Sequence, residues 1–299
     1  MAKMNRDGLY NITLLEGQAR ALLIESTALV ERARRVHSLS RIATAALGRT
    51  LTATAMMGSM LKGAGESISA TIKGGGPIGS IVTVGYPNGV VKGYVDNPAV
   101  DLPRAGKKLP VGEAVGNNGK LTVVKDLGLK EPYVGQTNLV SGEIAEDFAM
   151  YFTASEQTPS LVSLGVLVGD AVVSAGGLII QMLPGASEAA IQSVELSANM
   201  YGDISGTMRD YGAQGAIAQL LGHLQPEVLS HKEPEFRCDC SKGKIERVLI
   251  TLGAQELNEM IDEQGGAEVD CHFCNKRYAF SEDDLRALIA HATGGQHGI

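Results

Sequence analysis

The stretch LVSLGVLVGDAVVSAGGLIIQML, residues 161–183, decides what kind of protein this is. It is long and apolar enough to cross a bilayer as one helix, which takes about 20 residues. Its interior argues otherwise: Asp170 sits near the centre, Gln181 near the end, and glycines stand at 165, 169, 176 and 177. Gly169-Asp170 is a turn signal that divides the stretch into two runs rich in β-branched residues. A buried β-hairpin satisfies both facts and a transmembrane helix neither, so a soluble chain with no membrane partner is expected. The N-terminus, MAKMNRDGLYNITL, carries charges and no continuous apolar run, so no signal peptide is expected. A reducing, cytoplasmic location follows.

Outward from the hairpin, residues 8–26 read as two strands around Glu16-Gly17-Gln18. From Ala28 to about Leu61 the pattern becomes helical: Leu29, Val36, Leu39, Ile42, Ala46 and Leu47 recur at helical steps, and no Pro interrupts. Strands follow at SISATIKG (67–74) and SIVTVGYPNGVVKGYV (80–95), the latter folded at Asn88-Gly89, with more near 121–125 and 133–140. A helix is expected from about Gly142 to Ser155, stopping before Pro159. This order predicts an α+β core domain over residues 1–184, a mostly antiparallel sheet packed with helices.

Residues 185–231 predict a helical linker with Ser187 as an N-cap and Ile191, Val194, Ala198, Ile204 and Met208 on its apolar side. Gly202, Gly206, Gly212 and Gly215 interrupt it. A glycine inside a helix costs about 1 kcal/mol, so these helices should be metastable and need a neighbour to cover them. Residues 232–299 read as a small C-terminal domain. From residue 231 onward eight basic residues face thirteen acidic ones, which puts −5 of the total charge of −7 there. That balance argues against a protein that coats nucleic acid, while an apolar fraction of 44% in 299 residues is ample for a core.

The chain has four cysteines, far too few for a secreted disulfide scaffold, and all lie in the small domain: Cys238-Asp239-Cys240 and Cys271-His272-Phe273-Cys274. Two close pairs joined by a domain-sized loop are what a tetrahedral four-cysteine zinc site needs, each pair chelating from one turn. One Zn2+ per chain would organise a segment too small to make much core. Four thiolates around Zn2+ leave a net negative site, and Arg237, Lys242, Lys244, Lys276 and Arg277 are expected to screen it. Spacing leaves a structural and a redox role both open. A disulfide between residues two apart needs a bent backbone, because extended chain puts their Cα atoms near the limit of about 6.8 Å. A Cys-x-x-Cys pair closes more easily.

With Cys-x-Cys and Cys-x-x-Cys in this order, EDFAMYFTASEQTPS (146–160), GGLIIQMLPGA (176–186) and an Arg-rich helix after the first hairpin, the chain resembles the 33 kDa heat-shock protein family of redox-regulated holdase chaperones nearly end to end. The resemblance implies a stress-response chaperone, not an enzyme, that works without ATP. In the reduced state Cys238, Cys240, Cys271 and Cys274 would hold zinc and the protein would be inactive. Peroxide or hypochlorite, with mild heat, would convert them to Cys238–Cys240 and Cys271–Cys274 disulfides and release zinc. The switch domain and linker would then unfold, and the protein, a homodimer when activated, would hold unfolding clients.

Other motifs carry less. Lys73-Gly74-Gly75-Gly76-Pro77 lacks the lysine-serine/threonine ending of a phosphate loop and reads as a turn. His37 is expected to be solvated, no G-x-S-x-G nominates a nucleophile, and His272 is redundant beside four thiolates. Arg32, Arg34, Arg35 and Arg41 suggest a solvated helix face, and Met56, Met57 and Met60 suggest core. Two other functions compete with the holdase: a zinc ribbon that binds nucleic acid or a transcription partner, which the acidic C-terminal domain disfavours, and a thiol oxidoreductase using Cys271 and Cys274.

Overall fold

The computed structural model describes residues 7–103 and 108–294; the first six residues, read above for a signal peptide, lie outside them. Two compact units divide the chain, Met1–Arg237 and Cys238–Ile299. In the first, the strands are β1 (Gly8–Leu14), β2 (Ala19–Glu25), β3 (Ser67–Lys73), β4 (Ser80–Gly85), β5 (Val90–Val95), β6 (Lys120–Asp126), β7 (Tyr133–Asn138), β8 (Ser160–Val168), β9 (Val172–Met182), β10 (Glu227–Lys232) and β11 (Glu235–Phe236). Its helices are α1 (Thr27–His37), α2 (Arg41–Ser59), α3 (Val111–Val115), α4 (Ala145–Ala154), α5 (Glu188–Leu196) and α6 (Ile204–Ala216).

The class is α+β, with two sheets where the sequence suggested one. They run in the orders β10-β1-β2-β9-β8 and β11-β5-β4-β3-β6-β7, antiparallel throughout except for the short β11–β5 pair. The decisive stretch is a hairpin, β8 against β9, turning at Gly169-Asp170. Both its faces are covered, which is why it reads as continuous apolar sequence. Leu164 and Ile179 belong to one core, Leu178 and Ile180 to the other. Among the described residues no helix is long and apolar enough to cross a membrane.

Helix α2 is buried on nearly every side and packs on strands of both sheets. Its small residues allow that approach: a Cβ on Gly58 would stand 2.9 Å from the Tyr86 backbone nitrogen. Its buried threonines keep their hydroxyls satisfied, Thr50 on the Ala46 carbonyl and Thr52 on that of Gly48. Met56 and Met57 are core, as expected.

The sequence suggested one continuous helical stretch from Ala28 to Leu61; the structure has two helices. Ser38 adopts a left-handed conformation, and Ser40 restarts the helix by accepting from the Ala43 amide while its own N–H and hydroxyl reach Pro98 and Val100. Nothing local announces that break, because its partners lie some sixty residues away in sequence. His37 also departs from expectation. It is buried, edge-on to Phe236 at 6.0 Å, rather than solvated. The arginine face is largely exposed, but Arg34 and Arg35 pair with Glu31 and Arg41 pairs with Asp170.

After Pro184, Ser187 caps α5 as predicted, and α5, α6 and the irregular turns to Leu224 lie over the five-stranded sheet. Val194, Tyr201, Ile204, Met208 and Leu221 meet Ile12, Leu14, Leu23, Leu178 and Ile180. Helix α6 is broken at Gly212, whose φ of 65° and ψ of 179° suit only glycine. The freed Ala213 amide donates to the Glu25 carboxylate at 3.0 Å. Residues 227–236 then add β10 beside β1 and β11 beside β5. Both strands thus pair with the sheets of the first unit, which runs to Arg237.

Candidate metal centre

The second unit contains α7 (Lys242–Leu252), α8 (Ala254–Gln264), the hairpin β12 (Gly266–Asp270) and β13 (Arg277–Ser281), and α9 (Glu282–Gly294). Its core is one small cluster that includes Leu249, Leu257, Ile261, Phe280 and Leu285. The two cysteine pairs sit on turns made by local chemistry. After Cys240, Ser241 caps α7 by accepting from the Lys244 amide. Cys271–Cys274 forms the β12–β13 turn, where the Cys274 and Asn275 amides both donate to the Cys271 carbonyl. Asn275 takes the left-handed conformation that lets the chain return as β13.

Folding brings all four predicted cysteines together. Their sulfur atoms lie within 4.8 Å of one another, with Cys238 Sγ 3.7 Å from Cys271 Sγ and Cys240 Sγ 3.4 Å from Cys274 Sγ. Zinc–sulfur bonds of about 2.3 Å at tetrahedral angles set S···S separations of roughly 3.8 Å. The donor set and its spacing therefore fit one four-coordinate ion, shared between the turns. His272 is not part of the cluster.

The electrostatics favour a cation. Burial pushes the Cys238 thiol well above its ordinary range, and the neighbouring thiols add to this. Burial also raises Cys274, to about 11. At Cys240 burial acts in the same direction but is outweighed by hydrogen bonds, first from the Tyr278 hydroxyl at 3.1 Å, and the thiol falls to about 7. Four clustered thiols cannot ionise together without positive charge among them, and a divalent ion supplies it.

The flanking cations do not supply it as the sequence suggested. Lys244 pairs with Asp239, Lys242 with Asp284, Arg277 with Asp270 and Glu268, and Arg237 with Glu235. Lys276 lies over the Tyr278 ring, 5.0 Å from its centroid. Carboxylates close to these cations in the fold compete for them and win by proximity. Sequence reasoning passed over Tyr278. The alternation of Tyr278 and Phe280 on a strand directly after the Cys-x-x-Cys turn was the signal available, since it turns Tyr278 inward beside the sulfurs.

A family model described as Hsp33 protein matches residues 7–281. A 33 kDa chaperonin of Bacillus cytotoxicus is 45% identical over 95% of this chain and 99% of its own length. One from Alkaliphilus metalliredigens is 47% identical over 94% and 98%. The crystal structure of the 33 kDa chaperonin from Thermotoga maritima, also titled heat shock protein 33 homolog, superposes with a TM-score of 0.88 at 37% identity, covering 97% of this chain and 99% of that one.

Proposed function

This chain belongs to the Hsp33 family, whose named relatives are chaperonins and not enzymes, and on that premise we propose that it is a redox-regulated, ATP-independent holdase of the cytoplasm. The observation that carries the reading is the convergence of four thiols on one point of a unit with little other core. In reducing conditions Cys238, Cys240, Cys271 and Cys274 hold one zinc ion, which neutralises the thiolates and ties the two turns together. Oxidation closes Cys238–Cys240 and Cys271–Cys274. Two equivalents of peroxide each take two electrons from a pair of thiolates and two protons from solvent, one sulfur–sulfur bond forms per pair, and each O–O bond breaks to leave two waters. The four sulfurs, bonded in pairs, would then no longer hold the metal.

The linker of residues 185–231 is the second stage. Its apolar side chains and those of the sheet beneath it form one shared cluster. Lifting α5 and α6 would expose Leu14, Leu23, Leu178 and Ile180 together, an apolar strip suited to the exposed segments of an unfolding client. Each such large side chain gains about 1.5–3 kcal/mol when covered, so a few contacts suffice for a holdase. The activated form is a homodimer, and neither nucleic acid nor membrane is among its partners.

The test is a peroxide time course on the reduced, zinc-loaded chain, with zinc release, free thiols and suppression of light scattering by a heat-unfolding client followed together. Suppression should rise as four thiols and one zinc are lost. Equal suppression before and after oxidation would remove the redox switch. Salt-dependent binding of nucleic acid would favour the zinc-ribbon alternative, and catalytic turnover of a disulfide substrate would favour the oxidoreductase.

A further inference from the structure

The Tyr278 hydroxyl donates a hydrogen bond to Cys240 Sγ at 3.1 Å, and the strand that carries it fixes that contact. Along β13, Tyr278 and Phe280 face the core while Ala279 and Ser281 face solvent, and Tyr278 pairs with Val269 of β12. Cys238 and Cys274 accept from backbone amides, those of Cys240 and Lys276. Those two donors are set by the turns, whereas the donor at Cys240 is one side-chain oxygen. Lys276 completes the arrangement. The other cations flanking the cysteines, Arg237, Lys242, Lys244 and Arg277, pair with carboxylates. Lys276 instead stands over the Tyr278 ring, 5.0 Å from its centroid. A cation on the face of a phenol draws electron density from the ring and makes its hydroxyl a stronger donor.

A thiolate that accepts a hydrogen bond shares its charge with the donor and is a poorer nucleophile for it, and outer partners of this kind orient and tune metal ligands. We propose that Tyr278 is a positioning residue of the cysteine centre: its hydroxyl, strengthened by Lys276, orients the Cys240 sulfur toward the ion and slows its attack on electrophilic oxidants. The role presupposes the zinc–thiolate reading of the cluster. In the step that is slowed, an electron pair of the Cys240 thiolate forms a sulfur–oxygen bond with peroxide, the O–O bond breaks, and the departing hydroxide takes a proton from solvent. The Cys238 thiolate then attacks the sulfenic sulfur. A sulfur–sulfur bond forms, and a second hydroxide leaves and is protonated by solvent. The hydroxyl thus sets how much oxidant this half of the cluster withstands.

The test compares the reduced, zinc-loaded full chain with Tyr278→Phe, which keeps the ring and removes the hydroxyl, and with Lys276→Met, which keeps the hydroxyl and removes the charge. A short pulse of iodoacetamide at low conversion, read site by site by mass spectrometry, reports the nucleophilicity of each sulfur, since the thiolate displaces iodide. In Tyr278→Phe the labelling of Cys240 relative to Cys274 should rise about tenfold, the effect of one hydrogen bond to a charged group. In Lys276→Met it should rise about threefold. With Co2+ in place of zinc, Tyr278→Phe should keep the tetrahedral d–d bands and move the sulfur-to-metal charge-transfer band to lower energy. A merely structural role would speed all four sulfurs together, and that result overturns the proposal. So does an unchanged Cys240 to Cys274 ratio in Tyr278→Phe, or a charge-transfer band that stays in place. Should Tyr278→Phe fail to hold metal, the ratio in Lys276→Met decides: a rise upholds the proposal and no change overturns it. A parent chain that binds no zinc removes the zinc reading and this role together; one zinc per parent chain with unmoved ratios removes the role of Tyr278 alone.

Discussion

On the proposed zinc reading, removing the metal without any oxidant is the sharpest perturbation of the cysteine unit. Cys240→Ser deletes one donor, and a strong chelator under reducing conditions removes the ion from the unchanged chain. The unit has about 60 residues and a single small apolar cluster under a two-stranded sheet. Stability of about 0.05–0.15 kcal/mol per residue gives a domain of that size roughly 3–9 kcal/mol in all. A structural zinc site is worth about 10–16 kcal/mol at neutral pH. The metal term exceeds the whole, so without it this unit should unfold rather than loosen. The first unit owes nothing to the ion, since its two sheets and α2 make their own core. Hydrogen exchange read by mass spectrometry separates the cases. Peptides from α7, α8 and α9 should lose protection while β2, β9 and α2 keep theirs. Retained protection across 242–264 with the metal gone would refute the reasoning, because the apolar cluster would then be sufficient alone.

Other perturbations probe the linker and its surroundings. Gly212→Ala forces a side chain into a conformation that costs about 1–3 kcal/mol; at about 2 kcal/mol the undocked population of α6 rises about 30-fold, seen as faster exchange and as scattering suppression by the reduced protein. Phe236→Ala empties a buried site beside His37 and should cost the first unit about 3–5 kcal/mol in urea unfolding. Asp7 titrates near 6 when folded and near 3.8 when not; its contribution favours the fold below the lower value and is lost as pH rises through 6, by about 3 kcal/mol. Carboxyl NMR should find that raised value, and a midpoint near 4 would show Asp7 to be solvated.

Some of this was readable from the chain and some was not, for reasons that can be named. The cysteine cluster was legible because it takes in all the cysteines there are and their spacing within each pair is a local property. The hairpin was legible because Gly169-Asp170 interrupts an otherwise apolar run. The break at Ser38–Ser40 was not, since it is set by Pro98 and Val100. Strand β10 escaped notice because it is an edge strand exposed along almost its whole length, held by backbone pairing to β1 that leaves no alternation in its sequence. His37 needed Phe236, about two hundred positions away, to become a core residue. The cations near the cysteines were misassigned because charge proximity in sequence says nothing about which carboxylate arrives first.

The glycines of the linker acquire a different meaning in the structure. Read as sequence, they only weaken helices. In place, the break at Gly212 releases one amide, and a carboxylate from β2 takes it. The cover over the five-stranded sheet is thus continuous in its apolar contacts and discontinuous in its backbone. Such an element opens by segments, because no run of helical hydrogen bonds passes through residue 212 to make the two parts of α6 lift as one. The apolar face is then uncovered in parts, and Glu25, whose anchoring bond reaches across the break, sets how readily the later part follows. Glu25→Gln should therefore speed exchange in the turn around Ala213 more than in α5; an equal change in both would mean that the cover moves as a single body.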